Sequence, residues 1–390
     1  MGTVPIYLDG FATLPLAPEA REAILSVWEQ PGNAGSANGS GERAARIIAD
    51  ARADVAALIG AAAPEIIFTS GATEANNLAI TGAATAAASL TPQRNRIIVT
   101  AIEHKAVLEP AAALVAQGFD IIAAPVDMHG RLDLARLAAL LDERVLLASV
   151  MLVNNETGVV QPVAEAAALA HAVGAYVHSD AAQAAGKIAI DVTALDVDYL
   201  SLSAHKCYGP MGVGALYVAA GSPAPAPLMR GGGQQSGIRP GTEPVALIAG
   251  FGAAARGAMR RLAEDEVSGV ARAARLLDGI AERQVRFTRI TGDHAVVPGS
   301  AAIALDGIDG DSLCTMIARD VSLSTGSACT NGQIRISHVL EAMGLSDSMA
   351  RSVVRIFCDR TLSNDAIDRA VDVIVAAIQR SRLATGEVRQ

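Results

Sequence analysis

Tyr199-Leu-Ser-Leu-Ser-Ala-His205-Lys206-Cys-Tyr-Gly-Pro-Met-Gly-Val-Gly-Ala-Leu-Tyr217 sets two short apolar runs on either side of a turn. Val197 to Leu202 alternates and reads as a strand, Gly212 to Val218 reads as another, and Tyr208-Gly-Pro-Met-Gly supplies the turn chemistry between them. Lys206 therefore falls at a strand end. Walled by small residues, His205 and Tyr208, its amine is poorly hydrated, and desolvation lowers an amine's pKa toward the value a nucleophile needs. Taken alone, the residue reads as a surface lysine in a hairpin turn, because lysine is rarely buried. The neighbouring stretches decide between the two.

Upstream, helix and strand alternate. Strands are expected at residues 65–69, 96–100, 119–124, 145–150 and 175–178, with helices at 42–59, 74–88, 106–117, 133–141 and 163–173. Short apolar strands separated by amphipathic helices mean a mostly parallel sheet covered on both faces. Ligands of such sheets bind beyond the carboxyl ends of the strands, and here those ends are polar. Thr69-Ser-Gly-Ala72-Thr73-Glu-Ala-Asn76 follows a strand and opens a helix, so Thr73 and the backbone N–H groups around Ala72 could hold a phosphate. The stretch is neither a Walker loop nor a Gly-x-Gly-x-x-Gly turn, and a lone threonine at a helix start is a cap. Thr100-Ala-Ile-Glu-His104, Asn154-Asn155-Glu-Thr-Gly and His178-Ser-Asp180-Ala-Ala-Gln183 close three further strands. Singly, His104 reads as a satisfied core histidine and Asn155 as a turn former. Together, four polar strand ends face one crevice.

Before the alternation come a short strand, Ile6-Tyr-Leu-Asp9, and a helix from Pro18 to Trp28 with proline in its first turn. The run Gly32-Asn-Ala-Gly-Ser-Ala-Asn-Gly-Ser-Gly41 reads as a linker or as a loop shaped around a ligand. Downstream, a second glycine-rich loop, Met229 to Thr242, leads into a long helix from Val245 to about Arg283. The composition shifts there, which divides the chain into a large domain, residues 15–255, and a smaller α/β domain, residues 1–14 and 256–390. The small domain is expected to carry an antiparallel sheet from strands at 285–290, 301–305, 321–324 and 353–357, with helices at 311–318, 337–343 and 365–379. No internal repeat is present.

The 390 residues are 51% hydrophobic and 18% charged, the balance of a globular chain. No apolar run approaches the roughly 18 residues of a membrane span, and the first ten residues lack a signal peptide's basic start and apolar stretch. The expected compartment is the cytoplasm, with no membrane partner. A formal charge of −9 argues against a nucleic-acid surface. Cys207, Cys314, Cys329 and Cys358 share no metal-like spacing, so no metal and no disulfide framework are expected. Cys329, in Ser324-Thr-Gly-Ser-Ala-Cys-Thr-Asn-Gly332, has small polar neighbours where filler cysteines have apolar ones. It is the candidate nucleophile.

A deprotonatable lysine, an anion cradle, a carboxylate and a histidine at strand ends fit pyridoxal phosphate. The aldehyde needs an amine, Lys206; the ring nitrogen needs an anion, Asp180; the phosphate needs donors, from Thr73, Ser203 and His205. The same residues resemble the cysteine desulfurases of aminotransferase class V, of the type with a short sulfur loop. Ser70-Gly-Ala-Thr-Glu, Glu103-His-Lys-Ala-Val, Val153-Asn-Asn-Glu-Thr-Gly, His178-Ser-Asp-Ala-Ala-Gln, Ser203-Ala-His-Lys, Gly237-Ile-Arg-Pro-Gly-Thr and Gly326-Ser-Ala-Cys-Thr are similar to that family's motifs, in its order, across nearly the whole chain.

The resemblance implies the type I fold of the pyridoxal phosphate aminotransferases and a homodimer. In it Lys206 carries the cofactor as a Schiff base, His104 stacks on the ring and joins Lys206 and Cys329 as a catalytic residue, Asp180 pairs with the ring nitrogen and Gln183 bonds the ring hydroxyl. It implies that Ala72, Thr73, Ser203 and His205 surround the phosphate, with Thr242 contributed by the other subunit, and that Asn33, Asn155 and Arg355 hold the substrate. L-Cysteine would become L-alanine, the sulfur passing to Cys329 and on to an acceptor protein such as an iron–sulfur scaffold. A selenocysteine lyase or another class V aminotransferase is the alternative within the fold, and a non-catalytic binding protein the alternative outside it. The chain departs from the family pattern at Gly32-Asn33-Ala-Gly-Ser-Ala-Asn38, usually Gly-Asn-Pro-Ser-Ser-x-His. It departs also at Asp9-Gly-Phe-Ala-Thr-Leu14, at Phe357-Cys-Asp-Arg360, and in stopping soon after its last helix.

Overall fold

Apolar runs at Ile66–Thr69, Val145–Ser149 and Tyr199–Ser203 are buried at every position, as strands covered on both faces must be. The computed structural model describes residues 4–87, 91, 93–326 and 336–385. Its strands are β1 (Ile6–Tyr7), β2 (Ile66–Thr69), β3 (Arg96–Thr100), β4 (Asp120–Ala124), β5 (Val145–Ser149), β6 (Tyr176–Asp180), β7 (Tyr199–Ser203), β8 (Gly214–Val218), β9 (Phe287–Arg289), β10 (Ser300–Leu305), β11 (Val321–Ser322) and β12 (Val353–Phe357).

Seven of them form the main sheet, in the order β2-β8-β7-β6-β5-β3-β4. The pairings β3–β4, β3–β5, β5–β6 and β6–β7 are parallel, whereas β8 runs antiparallel to both β7 and β2. Thr69, Thr100, Asp180 and Ser203 therefore end their strands along one edge of the sheet. Successive residues face opposite layers: Ile66 and Phe68 join the core shared with helices Pro18–Trp28, Gly39–Leu58 and Val245–Glu282. Ile67, Ile97 and Leu216 join the other, under the helical stretch that begins at Ala72 and under helix Lys105–Ala113.

The 38-residue helix Val245–Glu282 crosses the expected domain boundary without a break. Phe251, Ala254 and Ala258 pack in the core of the main sheet, while Leu276, Leu277 and Ile280 pack with Leu8, Ile303 and Ile356 in the second core. One continuous element thus spans both units. The second core lies beneath the antiparallel sheet β12-β10-β9; beside it β1 and β11 pair in parallel, where only antiparallel pairing was expected.

The glycine-rich run at 32–41 is neither linker nor free loop over its whole length. Its last residues already belong to helix Gly39–Leu58, three residues earlier than expected, because the Asn38 side chain caps the helix by accepting from Gly41 N–H at 3.0 Å. Helix Ala72–Asn77 likewise starts two residues early. Helices Val192–Leu195 and Asp347–Arg351 were not anticipated; at four and five residues they carry too little periodicity to register. Among the described residues no helix is long and apolar enough to cross a membrane.

Helices Gly39–Leu58 and Val245–Glu282 approach closely at Gly252, where a Cβ would stand 2.7 Å from Ala51 Cα. Arg256 and Asp54 form an ion pair beside this contact. Backbone cannot yield as a side chain does, so Gly252→Ala is expected to force the helices apart and cost about 1–3 kcal/mol. Denaturant unfolding measures this; an unchanged midpoint would contradict the packing described.

Candidate active site

Where β2, β3, β6 and β7 end, the chain leaves a cavity of about 560 Å³. Its walls include Ala72 and Thr73 from the turn after β2, His104 from the turn after β3, and Asn155 from the turn after β5. Asp180 and Gln183 follow β6, Ser203, His205 and Lys206 follow β7, and Arg355 reaches in from β12 of the second sheet. Asn33 and Thr242 are exposed and do not line it. Cys329 lies outside the described residues.

The turn after β2 is shaped for close approach. Gly71 has φ +156°, in open space, and a Cβ on Gly214 would stand 2.6 Å from Gly71 Cα. Two glycines thus let the segment fold over the end of β8 while the first amides of the helix starting at Ala72 open on the cavity. Thr73, Ser203 and His205 line the same cavity. Burial pulls the His205 pKa down to about 4, with Lys206 and Lys187 adding to the effect. The ring is therefore neutral, with Nδ1 at 3.0 Å from Thr13 Oγ1.

Asp180 is held from two sides: Asn76 Nδ2 donates to Oδ2 at 2.7 Å, and Ala182 N–H donates to Oδ1 at 2.9 Å. Glu103, fully buried, stands near enough that Asp180 raises its pKa, a contribution second to burial; together they bring it to about 8. Two neighbouring carboxyls cannot both ionise out of water. Glu103 therefore stays protonated, with Oε1 accepting from Thr100 Oγ1 at 2.9 Å and Met151 N–H at 2.7 Å. His104 caps helix Lys105–Ala113 by accepting from Ala106 N–H on Nδ1 at 3.1 Å. Burial lowers its pKa, so Nε2 carries the proton of a neutral ring. It offers the cavity a flat face and a donor in place of a free base.

Lys206 was expected at a strand end beside Tyr208. A single 3-10 turn, Ala204–Lys206, separates it from β7, and Tyr208 does not wall it. With φ +64°, Tyr208 turns away and packs its ring against Arg360, whose guanidinium carbon is 3.5 Å from the ring centre. The wall is supplied instead by Phe11 and Ala12. Lys206 Nζ donates to Ala12 O at 2.8 Å and to Phe11 O. Burial, then the positive charge of Arg355, pulls its pKa down to about 8, while Asp180 and Asp9 oppose the shift. Arg355 donates from Nη1 to Asn155 O at 2.9 Å, and from Nη2 to Asp9 Oδ1 at 2.6 Å and Ser324 Oγ at 2.7 Å. Its buried Nε has no partner among the described residues, which leaves a guanidinium N–H for a ligand. No cluster of three potential metal ligands occurs among the described residues.

This donor set fits pyridoxal phosphate: an uncharged-capable amine, one fixed carboxylate, a flat neutral imidazole, a cluster of N–H and O–H donors at a helix start, and an unspent guanidinium nitrogen. Asn76, Glu103, Asp9 and Phe11 belong to the site although sequence reasoning did not assign them roles. Asn76 and Glu103 lie inside motifs that were read, and their polarity in apolar surroundings was the available signal. Phe11 acts through its carbonyl, which no side-chain pattern reveals.

The model of the aminotransferase class-V family matches residues 6–359. The chain is 41% identical to cysteine desulfurase IscS of Anaeromyxobacter sp. (strain Fw109-5) over 384 residues, covering 97% of this chain and 94% of that one. A solved structure named NifS-like protein superposes with a TM-score of 0.89 at 32% identity, over 97% of this chain and 100% of that one. A structure of SspA in complex with cysteine gives 0.80 at 33% identity, over 92% and 99%.

The Glu103 carboxyl predicts a pH dependence. Its folded pKa of about 8 lies well above the 4.5 of an ordinary glutamate carboxyl, so the folded state binds the extra proton and stability falls as pH rises between those limits. Glu103→Gln removes that slope. The variant's melting temperature is expected to match the parent's near pH 5 and to exceed it by several degrees, roughly 2–8 °C, near pH 8. A difference independent of pH would show Glu103 to be ionised in the fold.

Proposed function

The chain belongs to the aminotransferase class-V family, and from that premise we propose that it is a pyridoxal phosphate-dependent cysteine desulfurase, converting L-cysteine to L-alanine. The observation that carries the reading is the meeting, in one cavity, of the depressed Lys206 amine, the fixed Asp180 carboxylate and Arg355 with an unspent N–H. The close and nearly full-length likeness to a cysteine desulfurase selects this activity within the family.

When bound, pyridoxal phosphate supplies an aldehyde that condenses with amines and a ring that accepts electrons released at the substrate's α-carbon. Thr73, Ser203, His205 and the amides beginning at Ala72 would hold its phosphate, with His205, neutral, donating without adding charge. Asp180 would keep a proton on the ring nitrogen, His104 would stack on the ring, and Gln183 would donate to the ring hydroxyl. Arg355 holds the substrate carboxylate beside Asn155, a task that suits a guanidinium. Lys206 Nζ, titrating near neutrality, takes and returns protons at the substrate carbons. Cys329 Sγ then bonds to the substrate sulfur as the carbon–sulfur bond breaks. The electron pair stays with the carbon fragment, which gains a proton on the way to L-alanine.

Cys329 is proposed as that thiol because Cys207, Cys314 and Cys358 lie outside the cavity and burial pushes each of their pKa values up to about 12. The thiolate is the nucleophile, so those three are inert. Its sulfur would pass to an acceptor protein of the iron–sulfur scaffold kind, in the cytoplasm. Asn33, its side chain now accepting from Gly35 N–H at 3.0 Å, would have to turn to reach substrate. The purified protein should be yellow with the cofactor. Lys206→Ala should lose the borohydride-reducible adduct, and Cys329→Ser should keep the colour while losing sulfide and alanine production. Sulfide release at the parent rate from Cys329→Ser would overturn the choice of thiol.

We propose a homodimer with shared sites, a reading supported by the second glycine-rich loop. Gln235, at φ +49°, anchors it by accepting from Phe68 N–H at 2.8 Å, yet Thr242 is exposed and does not line the cavity of its own chain. In a dimer it would serve the site of the neighbouring copy. Mixing Lys206→Ala with Thr242→Ala protomers should generate sites carrying both defects and sites carrying neither, restoring part of the activity. An active monomer in sedimentation would contradict the arrangement.

A further inference from the structure

Behind Gln183, on the side away from the cavity, lies a second lysine. Lys187 is 5% exposed, and its Nζ donates to Gln183 O at 3.2 Å and to Gln183 Oε1 at 3.3 Å. The remaining face of the amine looks onto the Phe357 ring, 5.5 Å from its centre. Gln183 Nε2 in turn donates to Phe11 O at 2.9 Å, the same carbonyl that receives Lys206 Nζ. A chain of contacts thus runs from a buried amine, through the amide of Gln183 and the Phe11 carbonyl, to the amine that faces the cavity.

A side-chain amide can turn over at little cost unless its neighbours distinguish oxygen from nitrogen. Here they do. An ammonium or amine hydrogen on one side requires Oε1, and a backbone carbonyl on the other requires Nε2. Nε2 carries two N–H groups, one spent on Phe11 O, which leaves the other for a ligand of the cavity. We propose that Lys187 is a positioning residue: by holding Gln183 Oε1 it makes Gln183 present an N–H, never a carbonyl, to the ring oxygen of the bound cofactor. The proposal rests on the pyridoxal phosphate reading given above. Without Lys187, Oε1 would be buried without a donor, and Phe11 O would be the sole remaining constraint on the amide. Burial pulls the Lys187 pKa down to about 7, with Lys206 lowering it further and Cys207 opposing. Either protonation state keeps at least one N–H for Gln183. Across a small cavity the titratable groups facing Lys187 are Tyr208, Asp265, Arg272, Cys358, Asp359 and Arg360, all unchanged in the variants below.

A donor on the ring oxygen stabilises negative charge there and so weakens the neighbouring nitrogen's hold on its proton. The pH midpoint of the visible band of the cofactor-loaded protein reads this directly, independent of turnover. Lys187→Met is expected to raise the midpoint by about one unit, and Gln183→Leu to raise it similarly. In the double variant the Lys187→Met shift should vanish, because its effect passes through the amide. If the shift persists in full in the Gln183→Leu background, Lys187 acts through charge alone and the proposal is overturned; a parent-like midpoint in Lys187→Met overturns it as well. Should Lys187→Met fail to fold, Lys187→Gln keeps a donor while dropping the charge and should titrate close to the parent. A midpoint as high as that of Gln183→Leu would count against positioning. A parent protein with no visible band overturns the functional reading itself, and this proposal with it.

Discussion

Lys206, Lys187 and Arg355 bring positive charge out of water in one region of the fold, and the surroundings are arranged to make that tolerable. An isolated buried charge costs far more than a folded chain can spare, so each group meets fixed acceptors: Phe11 and Ala12 carbonyls for Lys206, the Gln183 oxygens for Lys187, and Asp9, Ser324 and the Asn155 carbonyl for Arg355. Most of these acceptors are backbone, which cannot be moved without moving the strands. The two lysines respond by giving up part of their basicity, to about 8 and about 7. The reactive amine is thus a consequence of how segments remote in the chain pack around it.

Negative charge is rationed by the same physics. Asp180 receives two donors, and Glu103 beside it is forced to keep its proton. Of the two carboxyl groups that line the cavity, Asp180 is fixed by these donors and Glu74 is paired with Arg239. His104 and His205 are likewise neutral, His104 tied through its Nδ1 into a helix cap. The result is a polar cavity whose groups differ in protonation although their residue types alone would not separate them.

The N-terminal segment is what joins these arrangements. Asp9 bridges to β12 through Arg355, Phe11 receives Lys206 and Gln183 together, and Thr13 meets His205. These residues lie some 170 positions or more from their partners along the chain, so their closure is costly in entropy and depends on both cores being formed. The helix Val245–Glu282, packed into each core, fixes the spacing that lets them meet.

By itself the sequence determined the alternation of strands and helices, the polar strand ends, and the residue types at Thr73, His104, Asp180, Gln183, Ser203, His205 and Lys206, because periodicity and turn chemistry are local. It determined Arg355 only through likeness to a family, since nothing local ties β12 to the main sheet. The tertiary structure alone decided that Tyr208 faces Arg360 and not Lys206, that Asn76 anchors Asp180 and burial keeps Glu103 protonated nearby, and that Lys187 stands behind Gln183. It also decided that Phe11 contributes a carbonyl. Each of these depends on burial or on contact between remote segments, and desolvation, which sets the proton occupancy of the whole site, is a property of the assembled fold that no stretch of chain possesses before it is packed.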